Sequence, residues 1–168
     1  MIKNIIILLA VISVSLTFGY FFSQQNSSKT EIKETKDNTK LQEKIWKKQN
    51  IKIGDKNYEI FVTETEEERN TGLAAFENIK DNEGMLFEFP EENFYSFWMK
   101  DMKFDIDIIF LDQNKKVIQI FESVQKSSYQ NKENHQIYLP KLKSKYVIEI
   151  KSGESKKNQL KVGDVIVF

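Results

Sequence analysis

The sequence predicts a mainly β (α+β) domain, a curled antiparallel sheet or small barrel with one or two short helices, preceded by an N-terminal hydrophobic helix. Three observations carry that expectation. From Ile51 onward, apolar residues recur with a period of two in short runs separated by turn residues. One strong helix start, Thr65-Glu66-Glu67-Glu68, interrupts them. The chain also opens on an 18-residue apolar run, Ile5 to Phe22, broken only by Ser13, Ser15, Thr17 and Gly19.

That first run follows Lys3 and, at about 1.5 Å per residue, would span roughly 27 Å, near the thickness of a bilayer core. Residues 1–22 therefore read as a secretory signal or an uncleaved membrane anchor, with the rest of the chain extracytoplasmic. Residues 23–50 carry seven Lys against four acids and almost nothing apolar before Leu41. Such a stretch cannot offset its ordering entropy by burial, so it reads as a flexible tether. The folded domain is placed at 51–168.

Within it, the candidate strands are Lys52–Ile53, Tyr58–Val62, Met85–Phe89, Phe94–Met99, Asp105–Leu111, Val117–Glu122, Tyr146–Ile150 and Asp164–Phe168. Thr65 is placed to cap the helix, with Glu68 returning the bond, and a second short helix is expected over Ser155 to Gln159.

Composition narrows the function classes. The formal charge is zero, 25 basic against 25 acidic side chains, which argues against a nucleic-acid partner. There is no cysteine, so disulfides, thiolate metal sites and lipoprotein attachment are excluded. The charge is uneven, −10 over Ile51 to Asp112 and +6 over Gln113 to Phe168, so the two halves attract. No Gly-rich phosphate loop is present and His135 is the only histidine, so neither a cofactor nor a typical zinc site is implied.

The densest chemistry lies in "SFWMKDMKFDIDIIFLD", Ser96 to Asp112, where core-like residues enclose five charges. Pairing Phe94–Lys100 with Asp105–Asp112 in a hairpin over "DMKF" would put Tyr95, Phe97 and Met99 on a core face. Trp98, Lys100 and Asp107 would share the other face, as a half-covered pocket in which a ligand stacks on the indole. The structural alternative is a Lys100–Asp105 salt bridge on the rim, with Asp107 bonded to turn backbone. Arg69 either pairs locally with Glu66 or bonds to Asp107 or Glu149 from above the sheet. Glu149 alternates away from Tyr146, Ile148 and Ile150, so it is either at the surface or on the polar face with Asp107. Asp105 with Asp107 falls short of a calcium shell, and Gly163-Asp164 reads as a tight turn.

The stretches "TETEEERNTGLA", "EGMLFEF", "SFWMKDMKFDIDIIFLD", "YVIEIKSG" and "LKVGDVIVF" resemble, in order and spacing, the domain of unknown function 192 family. The resemblance covers essentially all of Ile51 to Phe168 and implies a small, mainly β protein, often exported or anchored, with no accepted activity. The family's polar signature falls on Arg69, Gly72, Gly84, Trp98, Lys100, Asp107, Glu149, Gly153, Gly163 and Asp164. The chain departs from the pattern at Ala74, where methionine is usual, at Asp101-Met102 in place of Asn-Thr, and at Asp105 in place of proline.

The expectation is thus a membrane-tethered extracytoplasmic domain, held by Ile5–Phe22, that binds a small molecule or envelope component through Trp98, Lys100 and Asp107 with Arg69 and Glu149. The rival expectation is a hydrolase that uses Asp107 and Glu149 as paired acids.

Overall fold

The computed structural model of the protein describes residues 46–168. The expected N-terminal hydrophobic helix and the tether up to residue 45 lie outside the described residues. Strand β1 (Lys47–Ile53) begins four residues ahead of Ile51, and Trp46 before it is buried, 6.1 Å from the Phe76 ring. Residues 46–50 therefore belong to the folded domain.

β1 turns through Gly54 into β2 (Lys56–Thr63), with Ile51 opposite Tyr58. Helix α1 (Glu66–Thr71) follows, and its start is the capping box expected from the sequence: the Glu68 amide donates to Thr65 Oγ1 at 3.1 Å, and the Thr65 amide donates to the Glu68 carboxyl at 2.9 Å. At Gly72 the chain adopts φ 54°, a conformation that suits glycine, and enters a 3-10 turn, Gly72–Ala75. It returns as β3 (Glu83–Asn93), then β4 (Ile106–Leu111), β5 (Val117–Val124), β6 (Ser144–Lys151) and the short helix α2 (Glu154–Lys157).

The six strands form one sheet in the order β1-β2-β3-β6-β4-β5. Three expectations are corrected here. First, the sheet is not purely antiparallel: β2 and β3 run parallel, Phe61 opposite Met85, because α1 and the turn after it carry the chain back to the same end. Second, it is open, not a closed barrel. The C-terminal residues expected as a strand make only isolated bridges, Val167 to Lys52 on β1 and Val165 to Lys116 just before β5.

Third, the hairpin between Phe94–Lys100 and Asp105–Asp112 does not form. Both edges of β4 are taken, by β5 (Ile109 opposite Ile120) and by β6 (Ile109 opposite Ile148), and all six β4 residues are buried. A strand apolar on both faces belongs in the middle of a sheet. Residues 94–100 instead form an irregular strap above it, tied down where Phe97 and Tyr138 exchange backbone hydrogen bonds of 3.0 and 2.9 Å.

Each face of the sheet carries a core. Phe61, Met85, Phe87, Ile108, Phe110 and Val147 face Leu73, Phe76, Ile79, Met99 and Tyr138. On the other face Ile51, Tyr58, Ile60, Leu86, Ile109 and Ile148 pack with Leu160 and Ile166. Burial of this many aliphatic and aromatic side chains, each contributing about 1.5–3 kcal/mol, is what holds the two layers of connections onto the sheet.

Candidate functional site

Alternation along β4 and β6 decides where each acid goes. Asp107 lies opposite Ile150, while Glu149 lies between Met85 of β3 and Ile108 of β4. Asp107 therefore sits on the face of Ile109 and Ile148, and Glu149 on the face of Phe87 and Val147. The two acids do not share a face, which removes the paired-acid hydrolase geometry.

Asp107 has no access to solvent, 0% exposed, and all its acceptor capacity goes to the fold. Its Oδ1 accepts from the Ser123 and Gly153 amides at 2.7 and 3.0 Å, and its Oδ2 from the Ser155 amide and hydroxyl at 2.9 and 2.6 Å. Ser123 and Gly153 have positive φ, 53° and 84°, so Asp107 ties together an irregularity in β5 and the turn into α2. It also supplies the cap that Gly153, lacking a side chain, does not. The structural alternative for Asp107, bonding to turn backbone, is the one observed. Asp105, expected to meet Lys100, instead accepts from the Lys126 amide at 2.8 Å.

The other four expected residues converge. Arg69, Trp98, Lys100 and Glu149 line one cavity of about 190 Å³, roofed by α1, the 3-10 turn and residues 95–102 and walled by Phe87, Phe89, Tyr95 and Phe97. Each wall is braced by its neighbours. Phe97 meets Phe87 edge-on at 5.0 Å and Phe110 at 5.6 Å, and Tyr95 stacks on Phe89 with its hydroxyl donating to the Glu91 carbonyl at 2.9 Å. A second, shallower cleft lined by Asn70, Ala74, Trp98, Lys100 and Asp101 shares this wall.

Glu149 is 5% exposed, and among the described residues its carboxyl makes no hydrogen bond or ion pair. Burial alone pushes its pKa up to about 8, so the group is mostly neutral at pH 7. Arg69 is not paired with Glu66. Its guanidinium lies 5.9 Å from the Phe89 ring and, among the described residues, donates only a long bond, 3.5 Å, to the Glu64 carbonyl. Lys100 meets only its neighbour Asp101, at 3.7 Å, between two exposed side chains. Trp98 is half exposed, its ring edge-on to His135 at 6.1 Å. The cavity thus joins a desolvated acid, two weakly engaged cations and an open indole.

Two glycines of the family pattern shape it. A Cβ on Gly84 would stand 2.3 Å from the Glu149 carbonyl oxygen, so only glycine lets β3 approach β6 where Glu149 is anchored. Gly72 ends α1 against Phe87. Asp101, at φ 60°, occupies a conformation that asparagine and aspartate both tolerate, so the departure from Asn keeps the turn.

The sequence reading did not place Phe87, Phe89 and Tyr95 on a cavity wall; Phe97, expected in the core, packs against the core and lines the cavity as well. That reading also missed Glu154, buried beneath Lys56, Tyr58 and Lys157. Burial acts to raise that carboxyl, yet hydrogen bonds from Lys157, Lys56 and Tyr58 hold it below the usual range, marking a structural ion-pair cluster. Gly163, at φ 104°, and Asp164, accepting from the Lys161 amide at 2.8 Å, form the expected tight turn.

The chain matches a known family in sequence and solved structures in fold. The model of the domain of unknown function 192 (DUF192), an uncharacterized ACR, matches residues 47–168. The chain belongs to the DUF192 family. No curated protein matches it. The DUF192 fold is also that of a crystallised protein from Sinorhizobium meliloti 1021, described as a candidate transcription regulator, with TM-score 0.63, 20% identity, and coverage of 73% of this chain and 94% of that one. A protein of unknown function from Novosphingobium aromaticivorans DSM 12444 is similar at TM-score 0.61, 20% identity, and coverage of 73% and 85%. At such identities the likeness concerns the fold alone.

Proposed function

We propose that this DUF192 domain is a small-molecule binding module whose site is the cavity lined by Arg69, Trp98, Lys100 and Glu149. The observation that carries the reading is Glu149, a carboxyl almost wholly buried at the wall of an open cavity and without a partner among the described residues. Burying such a group costs free energy that folding alone does not repay. The volume, about 190 Å³, lies below the roughly 300–1,000 Å³ of drug-sized sites, which points to a compact metabolite. Trp98 offers a face for stacking, and Arg69 and Lys100 offer charge. Asp107, formerly grouped with them, has no part in the site.

A metabolite-library thermal-shift screen on the purified full chain tests this. A true ligand at 100-fold over its dissociation constant stabilises by about 2.7 kcal/mol. The shift should vanish in Trp98→Ala, a half-exposed side chain the fold does not depend on. If every shift survives that substitution, the cavity is not the binding site.

The domain is further proposed to be extracytoplasmic and tethered to a membrane through Ile5–Phe22, a reading supported by the length and hydropathy of that run. Carbonate extraction of expressing cells checks it: a tethered chain stays in the membrane pellet, whereas release into the supernatant rejects the anchor.

A further inference from the structure

We propose that the ligand of this cavity is a small zwitterion, carrying a primary ammonium that meets Glu149 and a carboxylate that meets Arg69 and Lys100. The inference rests on the ligand-pocket reading above and deepens it by naming the chemical class.

The argument is one of charge placement. Arg69 does not act on Glu149: the acid has no ion pair with it, and burial alone accounts for its perturbed titration. The titratable groups lining the same cavity are Arg69, Tyr95 and Lys100, and across the sheet Glu149 is flanked by Met85 and Ile108, which carry no charge. One cavity wall therefore carries an acid and two cations, with aromatic side chains among them. A molecule complementary to that pattern is positive at one end and negative at the other. A simple carboxylate would satisfy the cations but bring no positive charge to Glu149. A simple amine would satisfy Glu149 and leave the cations unused. The walls suit an ammonium as well, since Phe87 and Phe97 line the same cavity as the acid, and a cation near ring faces is attracted to them.

Binding in this mode moves one proton. At neutral pH the Glu149 carboxyl is protonated for the most part, and an arriving ammonium, already charged, favours the carboxylate. The O–H bond of Glu149 breaks, its proton passes to buffer, and the carboxylate accepts hydrogen bonds from the ammonium. No other bond changes.

The test is calorimetric titration of the full chain at pH 7 with the free proteinogenic α-amino acids, one at a time. The deaminated acid and the decarboxylated amine of each are titrated beside it, in two buffers of different ionisation enthalpy. At least one amino acid should bind, its two truncated analogues should bind about 30-fold or more weakly, and the buffer difference should report close to one proton released. Glu149→Gln should abolish the proton release, and Arg69→Ala should weaken the amino acid while leaving the amine unchanged. Equal binding of the deaminated acid, or of the decarboxylated amine, overturns the zwitterion. If instead a compound of another class binds and is lost in Trp98→Ala, the pocket reading stands and this inference falls. If no compound of any class depends on Trp98, both fall.

Discussion

Asp107 and Glu149 sit one step apart in the pairing of β4 with β6, Asp107 opposite Ile150 and Ile108 opposite Glu149, and so leave the sheet in opposite directions. Both are buried, but one is fully hydrogen-bonded and the other has no partner among the described residues. Two buried carboxyl groups thus have two roles. Asp107 holds the fold together, and Glu149 is a cost the fold carries at its cavity.

That division predicts the effect of Asp107→Asn. Whichever oxygen becomes the amide nitrogen, a donor then faces the amides of Ser123 and Gly153 or the Ser155 pair. The expected loss is about 2–4 kcal/mol, read as a lower urea midpoint. Ligand affinity of the folded fraction should be unchanged, because Asp107 does not line the cavity. A large affinity loss at unaltered stability would contradict this assignment.

Gly84 and Gly153 separate steric from conformational cost. Gly84→Ala forces a Cβ against the Glu149 carbonyl at 2.3 Å and against Ile60 and Ile150, in the middle of the sheet. It should cost about 3 kcal/mol or more, since strand backbone cannot retreat without breaking the ladder. At Gly153 nothing lies within 4 Å, and only φ 84° opposes a side chain. Gly153→Ala should cost about 1–2 kcal/mol. Thermal unfolding of the two variants side by side checks the order, and equal losses would mean that the close approach at Gly84 relaxes freely.

Local signals were legible in the sequence and long-range pairing was not. The Thr65–Glu68 box, the Gly163-Asp164 turn and the alternation that sends Glu149 away from Ile148 are set by neighbours a few residues apart, and each appears in the structure. The choice of β6, not residues 94–100, as partner of β4 depends on a strand some forty residues downstream, and period-two alternation cannot distinguish an edge strand from a strap. The misplaced pairing put Trp98 beside Asp107. Arg69, Trp98, Lys100 and Glu149 nevertheless converge, brought together by the β2–α1–β3 crossover and the strap.

Removing the cap of α1 should loosen the cavity roof without unfolding the sheet. Thr65→Ala deletes the acceptor of the Glu68 amide, and the side chains of α1 contribute no buried residue to offset the loss. The expected destabilisation is about 1 kcal/mol, with faster hydrogen exchange at the Glu68 and Arg69 amides than in β3 or β6. Uniform acceleration across the sheet would show that α1 and the core open as one unit.

Glu149 gives the fold a pH dependence of definite sign. Its carboxyl titrates near 4.5 when exposed and at about 8 in the folded chain, so between those values the folded state holds a proton that the unfolded state has lost. Stability from this group is fully present below pH 4.5, falls as pH rises, and is exhausted above about pH 8. At about 1.4 kcal/mol per pH unit over that interval the fall is capped at about 5 kcal/mol, and water entering the open cavity reduces it. Glu149→Gln keeps the shape and removes the titration. Urea unfolding at pH 6 and pH 9 should therefore show a loss in the wild type that the glutamine variant lacks, with the variant the more stable of the two at pH 9. A wild-type curve parallel to that of Glu149→Gln would mean that the carboxyl is solvated or paired in solution.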